Sequence, residues 1–224
     1  MDANGFAVVP TLYTPWEVAQ LLTCVESAIS SGPAFSCPKE AFAIRGLFAE
    51  IPDLWPLLAK SELHELLAEV FPDGCHVVKA MYFDKPSMVN WRVAWHQDLM
   101  INVNRRDIYP GFGPWTNKPE GVSVQPPLEV LENICTIRIH LDPCDEKNGA
   151  LNAVPGSHRM GVLQAADLPA LTPNAVACPV PAGGAMLMRP LLLHASYKNT
   201  SERPRRVLHI EFASVELPGG LLWR

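Results

Sequence analysis

The first third of the chain has apolar residues at the spacing of an amphipathic helix. They recur every three or four positions through 18–29, which would make one face of a helix apolar. Thr14-Pro15-Trp16-Glu17 has the form of a capping box, with a hydroxyl at the N-cap and a glutamate three residues later. This pattern predicts a helix that ends at Gly32-Pro33. A second helix is predicted after Ser61, with a stop at Pro72-Asp73-Gly74.

From His76 onward the pattern changes to short apolar or alternating runs that are separated by turn residues. The chain has 22 prolines and 14 glycines, and they punctuate the sequence from residue 105 onward. The runs that predict strands are 76–83, 133–142, 150–156, 185–196 and 205–214. The second run is apolar at odd and even positions alike, which predicts a strand covered on both faces.

Helices followed by about eight short strands predict a mainly β protein. The expected fold is an antiparallel β-sandwich or jelly roll with N-terminal helices packed on one sheet. We expect one domain over 1–224, with a helical part at about 1–75 and a jelly-roll core at about 76–215. Residues 102–132 lack clear periodicity but contain the aromatic segment Tyr109–Trp115. Such a segment is usually functional, and we expect a loop that folds over a pocket as an active-site lid.

Composition and charge narrow the functional classes. Hydrophobic residues make up 48% of the 224 residues and charged residues 18%, as is typical of soluble globular proteins. The net charge of -5 gives no general attraction to nucleic acid or to an anionic membrane. We find no signal peptide and no apolar run of membrane-spanning length. The six cysteines form no CxxC pair, so we expect reduced thiols in a cytoplasmic protein.

The candidate chemistry begins with the pair His96 and Asp98. On an extended segment, residues i and i+2 point to the same side, so an imidazole and a carboxylate can reach one metal ion. The pair alone is a weak signal. His194, after the apolar run 191–193, is either an ordinary core histidine or a third ligand. Two histidines and one carboxylate with open positions form the facial triad of non-haem Fe(II) oxygenases.

Arg205 follows His194 by eleven residues, beyond a turn at 198–202. If that turn is a hairpin, the next strand runs beside His194 and aims Arg205 into the same pocket. A guanidinium pairs with a carboxylate through two parallel hydrogen bonds, so Arg205 could receive the far end of a dicarboxylate that chelates the iron. The alternative is a solvated cluster with Arg203 and Arg206, either of which could share the role.

The remaining histidines are interpreted as structural. His64 lies on a predicted helix, and His76 and His209 lie in predicted strands. His140, in a strand, and His158, at a turn, are the two that a metal site could recruit instead.

Several blocks together resemble the phytanoyl-CoA dioxygenase family of Fe(II)/2-oxoglutarate oxygenases over nearly the whole chain. Their order in the chain matches the order in that family. The blocks are Asn4-Gly5-Phe6-Ala7-Val8-Val9, Trp95-His96-Gln97-Asp98, Asp142, Asn148-Gly149-Ala150-Leu151, Pro155-Gly156-Ser157-His158, and His194-Ala195-Ser196 with Asn199 and Arg205.

The resemblance implies a double-stranded β-helix, a cupin-like jelly roll, with Fe(II), 2-oxoglutarate and O₂ as cofactor and co-substrates. It implies that the metal ligands, which are also the catalytic set, are His96, Asp98 and His194. Arg205 would bind the distal carboxylate of 2-oxoglutarate and Ser196 would assist. Two further pocket residues are expected, namely Gln97 and Arg138.

The reaction implied is hydroxylation of a small molecule with release of succinate and CO₂. The presence of Asp98 favours hydroxylation over halogenation. The acyl-CoA substrate does not carry over, because no basic patch would plainly hold the CoA phosphates. Two other classes stay open: a cupin-like metal enzyme that does not use 2-oxoglutarate, and a jelly-roll binding module without catalysis.

Overall fold

The computed structural model describes residues 1–31, 42–85, 92–118 and 121–224. Thirteen strands are described in these segments. They are β1 (Phe6–Val9), β2 (Phe42–Arg45), β3 (His76–Lys85), β4 (Val93–His96), β5 (Ile101–Val103), β6 (Trp115–Lys118), β7 (Gly121–Val124), β8 (Ile134–His140), β9 (Leu151–Ala153), β10 (Val176–Cys178), β11 (Ala185–Met188), β12 (His194–Ser196) and β13 (Arg205–Ala213).

The strands form three antiparallel sheets. The six-stranded major sheet has the order β1-β11-β8-β13-β3-β2, and the four-stranded minor sheet has the order β10-β9-β12-β4. A small third sheet has the order β5-β7-β6. This arrangement confirms the expected jelly-roll fold, although the number of strands exceeds the prediction because several are only three or four residues long.

Six α-helices lie within the described segments. They are α1 (Pro15–Ser31), α2 (Leu47–Glu50), α3 (Leu54–Leu58), α4 (Ser61–Val70), α5 (Leu128–Glu132) and α6 (Leu168–Leu171). The capping box of α1 is confirmed, because the Thr14 backbone N–H donates to Glu17 Oε2 at 2.7 Å and the Glu17 N–H donates to Thr14 Oγ1 at 3.3 Å. The predicted helix over 61–70 is confirmed as α4. The predicted stop at Gly32-Pro33 lies outside the described residues. Among the described residues, no helix is long and apolar enough to cross a membrane.

The N-terminal helices cover the outer face of the major sheet, as the sequence predicts. Leu21 and Val25 of α1 and Leu63 of α4 share a buried cluster with Ile137 and Ile139 of β8. Burying a leucine or isoleucine side chain contributes roughly 1.5–3 kcal/mol. The whole of β8 is buried, which confirms a strand covered on both faces.

The apolar run 185–196 was expected to be one strand, and that expectation is wrong. The run divides into β11, which belongs to the major sheet, and β12, which belongs to the minor sheet. Residues 189–193, including Pro190, carry the chain between the sheets. A continuous apolar run is equally compatible with one long buried strand or with two short ones, so its periodicity could not distinguish them.

Two other expectations need correction. The first third is not purely helical, because β1 and β2 occupy the two edges of the major sheet. The region 102–132 is not an irregular loop, because β6, β7 and α5 lie within it. Its irregular part is tethered, since Tyr109 Oη donates to the Gly219 carbonyl oxygen at 3.1 Å. A lid role for this region stays a prediction.

Alternation along the central strands decides what faces the space between the two sheets. Because Ile137 and Ile139 of β8 face the helices, Arg138 and His140 face the minor sheet. The β13 residues that pair beside them continue this inner face: His209 lies opposite Arg138 and Val207 opposite His140. The inner face of the major sheet therefore carries basic groups in a buried position.

Candidate active site

His96 and His194 are cross-strand partners. They pair in antiparallel register between β4 and β12 of the minor sheet, and their ring centroids lie 4.2 Å apart. Directly opposed residues of an antiparallel pair place their side chains on the same face. Two imidazoles therefore project together from the minor sheet toward the major sheet.

Asp98 completes the group from the segment just after β4. Its backbone N–H donates to the Pro190 carbonyl oxygen at 2.8 Å, which ties this segment to the chain that leads into β12. Its carboxylate lies 3.6 Å from His96 Nε2 and 3.8 Å from His194 Nε2. One donor atom from each residue lies within 4.8 Å of the other two. The buried Asp98 Oδ2 has no hydrogen-bond partner among the described residues.

The second nitrogen of each imidazole contacts the main chain. His96 Nδ1 lies 2.8 Å from the Ala94 carbonyl oxygen, and His194 Nδ1 lies 2.9 Å from that of Leu192. A carbonyl can only accept, so each Nδ1 carries the proton and each Nε2 lone pair faces the carboxylate. Main-chain contacts of this kind orient metal-binding histidines. The donor set therefore fits a divalent metal ion with two imidazole nitrogens and one carboxylate.

Burial sets the protonation of the group. It lowers the pKa of His194 to about 4, against the opposing effect of the Asp98 carboxylate. His194 is therefore neutral near pH 7, which is the form that binds a metal. Burial alone would raise the pKa of Asp98, but His194, His209 and Lys79 together lower it below its usual value. Asp98 is therefore ionised in the same pH range.

Arg205 approaches the same interior from the opposite sheet. Its Nη1 donates to Ser196 Oγ at 3.1 Å and also contacts the Gly149 carbonyl oxygen. Arg205 is only 4% exposed. The hairpin expectation was wrong, because β12 and β13 lie in different sheets. Arg205 therefore faces the strand of His194 across the interior. It does not lie on a strand next to it in the same sheet.

The neighbouring arginines are engaged elsewhere. Arg206 forms a bidentate pair with Asp142, with distances of 2.8 and 2.7 Å. Arg203 pairs with Asp145 at 2.7 Å on the surface. Of the three arginines, Arg205 alone faces the interior, which distinguishes it from the solvated cluster that the sequence left open.

Arg138 lies on the inner face of β8 and is 7% exposed. Its Nη1 lies 2.9 Å from His209 Nδ1. His209 Nε2 in turn lies 3.1 Å from Glu211 Oε1, which also contacts Lys79 Nζ at 2.7 Å. Residues 209 and 211 were missed as interior residues, and the signal was alternation with Arg205 along β13. Burial, and then the charge of Arg205, lower the pKa of Arg138 to about 10.

Gln97 points away from the group. Its amide donates to the Leu191 and Gly161 carbonyl oxygens at 2.7 and 2.9 Å, and its Oε1 accepts from the Leu163 N–H at 2.8 Å. Since residues i and i+1 of an extended segment face opposite sides, this placement follows from the positions of His96 and Asp98. Its contacts are those of a residue that positions the segment.

The two histidines named as alternative ligands lie outside the metal-binding group. His158 Nε2 lies 3.2 Å from the Asp2 carbonyl oxygen. His140 is 3% exposed, and neither of its ring nitrogens has a hydrogen-bond partner among the described residues.

A cavity of about 750 Å³ lies between β3, α2 and the small third sheet. Lys79 and Met81 line it from β3, and Met100 lines it two residues after Asp98. Asn102 and Ser123 line it from the third sheet. The three candidate metal ligands do not line it, but the charge of Lys79 acts on Asp98.

Fold and site together define a jelly-roll protein with a candidate metal site of two histidines and one carboxylate. A family model described as phytanoyl-CoA dioxygenase (PhyH) matches residues 1–207. The chain therefore belongs to the phytanoyl-CoA dioxygenase family, as its sequence blocks indicate. Membership supports an oxygenase activity that depends on iron and 2-oxoglutarate. No curated protein sequence matches the chain.

Solved structures share the fold. The crystal structure of AviO1 from Streptomyces viridochromogenes Tue57 has a TM-score of 0.68 at 23% identity, covering 97% of this chain and 93% of that chain. EctD from S. alaskensis with 2-oxoglutarate and 5-hydroxyectoine has a TM-score of 0.72 at 20% identity, covering 96% and 73%. SnoK, a non-haem α-ketoglutarate-dependent carbocyclase from nogalamycin biosynthesis, has a TM-score of 0.68 at 16% identity, covering 94% and 80%. A structure of EctD with bound Fe is also similar.

Proposed function

We propose that the protein is a non-haem Fe(II)- and 2-oxoglutarate-dependent dioxygenase that hydroxylates a small molecule and releases succinate and CO₂. The observation that carries the proposal is the opposition of two groups across one buried interior. The metal-ligand set projects from the minor sheet and the loop after β4. The Arg205 guanidinium faces it from the major sheet and meets Ser196.

His96, Asp98 and His194 hold the metal in this proposal. These three residues would leave other coordination positions open, and an Fe(II) ion held there would supply the oxidative chemistry with a 2-oxo acid and O₂. The protein supplies two neutral imidazoles in fixed tautomers and one ionised carboxylate. The main-chain contacts of both Nδ1 atoms hold these ligands in place, so that binding a metal needs little rearrangement.

Arg205 and Ser196 receive the distal carboxylate of 2-oxoglutarate in this proposal. A buried guanidinium requires an anion, and no carboxylate of the described residues pairs with Arg205. The guanidinium can give two parallel hydrogen bonds to the carboxylate, and the Ser196 hydroxyl can add a third. This geometry selects a dicarboxylic 2-oxo acid as the co-substrate.

The 750 Å³ cavity is the proposed substrate site, and its size suits a small molecule. Its walls combine apolar side chains such as Met81, Phe83 and Met100 with the polar residues Asn102 and Ser123. Residues of the third sheet would then contact substrate, which keeps a covering role for region 102–132. In support, the similar structure of EctD holds the small molecule 5-hydroxyectoine together with 2-oxoglutarate.

The experiment is anaerobic titration of the Fe(II)-loaded protein with 2-oxoglutarate. We expect a metal-to-ligand charge-transfer absorption band in the wild type and its loss in Asp98→Ala. Admission of O₂ should then convert 2-oxoglutarate to succinate. A wild type without the band, and without bound iron after expression with iron, would support the binding-module alternative.

The cupin-like alternative without 2-oxoglutarate makes a different prediction for Arg205. In that class Arg205→Ala leaves both activity and 2-oxoglutarate affinity unchanged. In the dioxygenase proposed here the same variant loses 2-oxoglutarate affinity while it retains iron. Metal analysis and calorimetric titration of one protein sample separate these outcomes.

A further inference from the structure

The inner face of the major sheet carries three buried basic side chains in a row, which we term the basic strip: Arg138, His140 and Arg205. His140 lies two residues after Arg138 on β8. Its partner on β13 is Val207, two residues after Arg205. Same-face neighbours at these offsets lie roughly 7 Å apart. His140 is therefore placed between the two guanidinium groups.

Each member of the basic strip has buried nitrogen atoms without a hydrogen-bond partner among the described residues. They are Nε of Arg138, Nε of Arg205, and both ring nitrogens of His140. The three residues are between 3% and 7% exposed. Buried polar atoms of native proteins are nearly always hydrogen-bonded, so a cluster of unpaired ones indicates a ligand site.

The charges of the strip are also unbalanced among the described residues. Glu211 forms an ion pair with Lys79, and Asp142 forms one with Arg206. Asp98 belongs to the metal-ligand set. The nearby Cys144 thiol does not supply a negative charge, because burial raises its pKa. Two buried guanidiniums thus face the interior without a carboxylate, which is costly unless an anion binds there.

We propose that His140 is a further co-substrate residue, and that the basic strip holds a dianion by both ends. Arg138 faces the 2-oxo acid end, while Arg205 and His140 share the distal carboxylate. This inference rests on the proposed function and goes beyond it, since His140 takes no part in the ligand set or in the Arg205–Ser196 pair.

The surroundings of Arg138 and His140 indicate which end of the 2-oxo acid each of them contacts. Arg138 is close enough to the metal-ligand set for its charge to act on His194 and for Asp98 to act on it. The carboxylate oxygen next to the 2-oxo group that does not bind the metal is its natural partner. The methylene carbons of the co-substrate accept no hydrogen bond. The acceptor left for an N–H of His140 is therefore the distal carboxylate.

His140 can donate this hydrogen bond as a neutral ring. Burial and the two flanking arginines lower the pKa of His140 well below its usual value, so a third positive charge is not added. One ring N–H of His140 donates to a carboxylate oxygen. The two negative charges of the dianion then balance the two positive charges of the guanidinium groups. A 2-oxo acid with a single carboxylate leaves Arg205 unpaired and His140 without an acceptor.

The test is calorimetric titration of Fe(II)-loaded protein without O₂, using two ligands. One is 2-oxoglutarate, and the other is 2-oxopentanoate, which has the same chain length with a methyl group in place of the distal carboxylate. In His140→Leu we expect 2-oxoglutarate to bind about tenfold or more weakly, the loss for one hydrogen bond to a charged group. Binding of 2-oxopentanoate should stay within about twofold, which is below the effect of one such bond.

Arg138→Met should weaken the binding of both ligands by a similar factor, so that the ratio of their two dissociation constants stays the same. His140→Gln, which retains an N–H, should recover most of the 2-oxoglutarate affinity. Thr136→Val is the matched control, because Thr136 is buried two residues before Arg138 on the same strand face. It should change neither constant. If His140 had a purely structural role, His140→Leu would weaken the binding of both ligands to a similar extent.

Wild-type affinity for 2-oxoglutarate in His140→Leu, or an equal loss for both ligands, would overturn the assignment of His140. If His140→Leu does not fold, His140→Ala carries the same comparison, and His140→Gln remains the variant that retains an N–H. A wild type that binds iron but neither 2-oxo acid would instead overturn the proposed function. The two failures are therefore distinguishable in one series of titrations.

Discussion

His96 and His194 lie directly opposite each other on adjacent strands of the minor sheet, although 98 positions separate them in the sequence. The pairing brings two imidazoles together on one face of the sheet, where they provide two of the three candidate metal ligands. Asp98 adds the carboxylate because the segment after β4 bonds back to the Pro190 carbonyl oxygen. The candidate metal site thus depends on strand register, and a slip of one residue would turn one of the two histidines to the other face of the sheet.

Loss of one metal ligand should abolish turnover. Changes in groups that merely support ligands already weaken metal binding about 10- to 100-fold, so Asp98→Ala or His194→Ala should cost at least about 100-fold in succinate formation. Iron content and succinate are measured on the same samples. His64→Ala, on the exposed side of α4, serves as the control and should behave as wild type. An Asp98→Ala protein with normal turnover would exclude this site as the iron centre.

Ser196→Ala should weaken 2-oxoglutarate binding by about fivefold, the value of one ordinary hydrogen bond of about 1 kcal/mol. Arg205→Met removes the charged partner and should have the larger effect, at least about tenfold. Both variants should bind Fe(II) as wild type does, because neither residue belongs to the metal-ligand set. Separate titrations with metal and with 2-oxoglutarate make the comparison. Equal losses in the two titrations would point to general disruption.

Gln97→Ala should lower the stability of the protein more than its affinity for 2-oxoglutarate. The amide makes three hydrogen bonds to the main chain at 161–163 and 191, and their loss should cost about 1–3 kcal/mol in the free energy of unfolding. Urea unfolding measures the stability. A folded Gln97→Ala protein with strongly weakened 2-oxoglutarate binding would favour the pocket role that the sequence suggested.

The metal-free protein should lose stability as the pH falls below about 6.5, the ordinary pKa of histidine. Burial lowers the pKa of His140, His194 and His209 in the folded state. The unfolded chain therefore takes up protons in a pH range where the folded chain does not. As a result, the free energy of unfolding decreases as the pH is lowered. For His194 this loss extends to the folded pKa of about 4.

Each such histidine contributes up to about 1.4 kcal/mol per pH unit to the slope of the free energy of unfolding against pH. His140→Leu should reduce the slope between pH 6.5 and 5, as measured by urea unfolding at several pH values. His158→Leu, at a more exposed position, is the comparison variant. An unchanged slope in His140→Leu would show that His140 does not resist protonation in the folded state.

Much of the local structure could be predicted from short-range patterns. The capping box at Thr14 and Glu17 determines where α1 begins, because its hydrogen bonds join residues three positions apart. The continuous apolar pattern of β8 predicts burial on both faces. The His-x-Asp spacing predicts that two ligands share a side, since side chains of an extended segment alternate. These features depend on neighbours in the sequence.

Features that join distant segments could not be predicted in this way. The run 185–196 reads as one strand, and only the packing of two sheets explains why it divides at Pro190. Arg205 was expected beside His194 through a hairpin, whereas it faces His194's strand from the opposite sheet. His140 resembled an ordinary strand histidine, because its local sequence places Arg138 on the same strand face but does not show that Arg205 lies on its other side.

The sequence by itself determined the residue types, the spacing of the ligand pair, the family and the mainly β class. The class follows from periodicity, the ligand pair follows from the chemistry of individual side chains, and the family follows from the resemblance of the ordered sequence blocks. The tertiary structure decided which sheet each strand joins, and hence that the candidate metal ligands and Arg205 face one another across a buried interior. The reason is physical: strand partners are chosen by long-range hydrogen bonding and burial, and the cost of an unpaired buried charge becomes visible only when its surroundings are known.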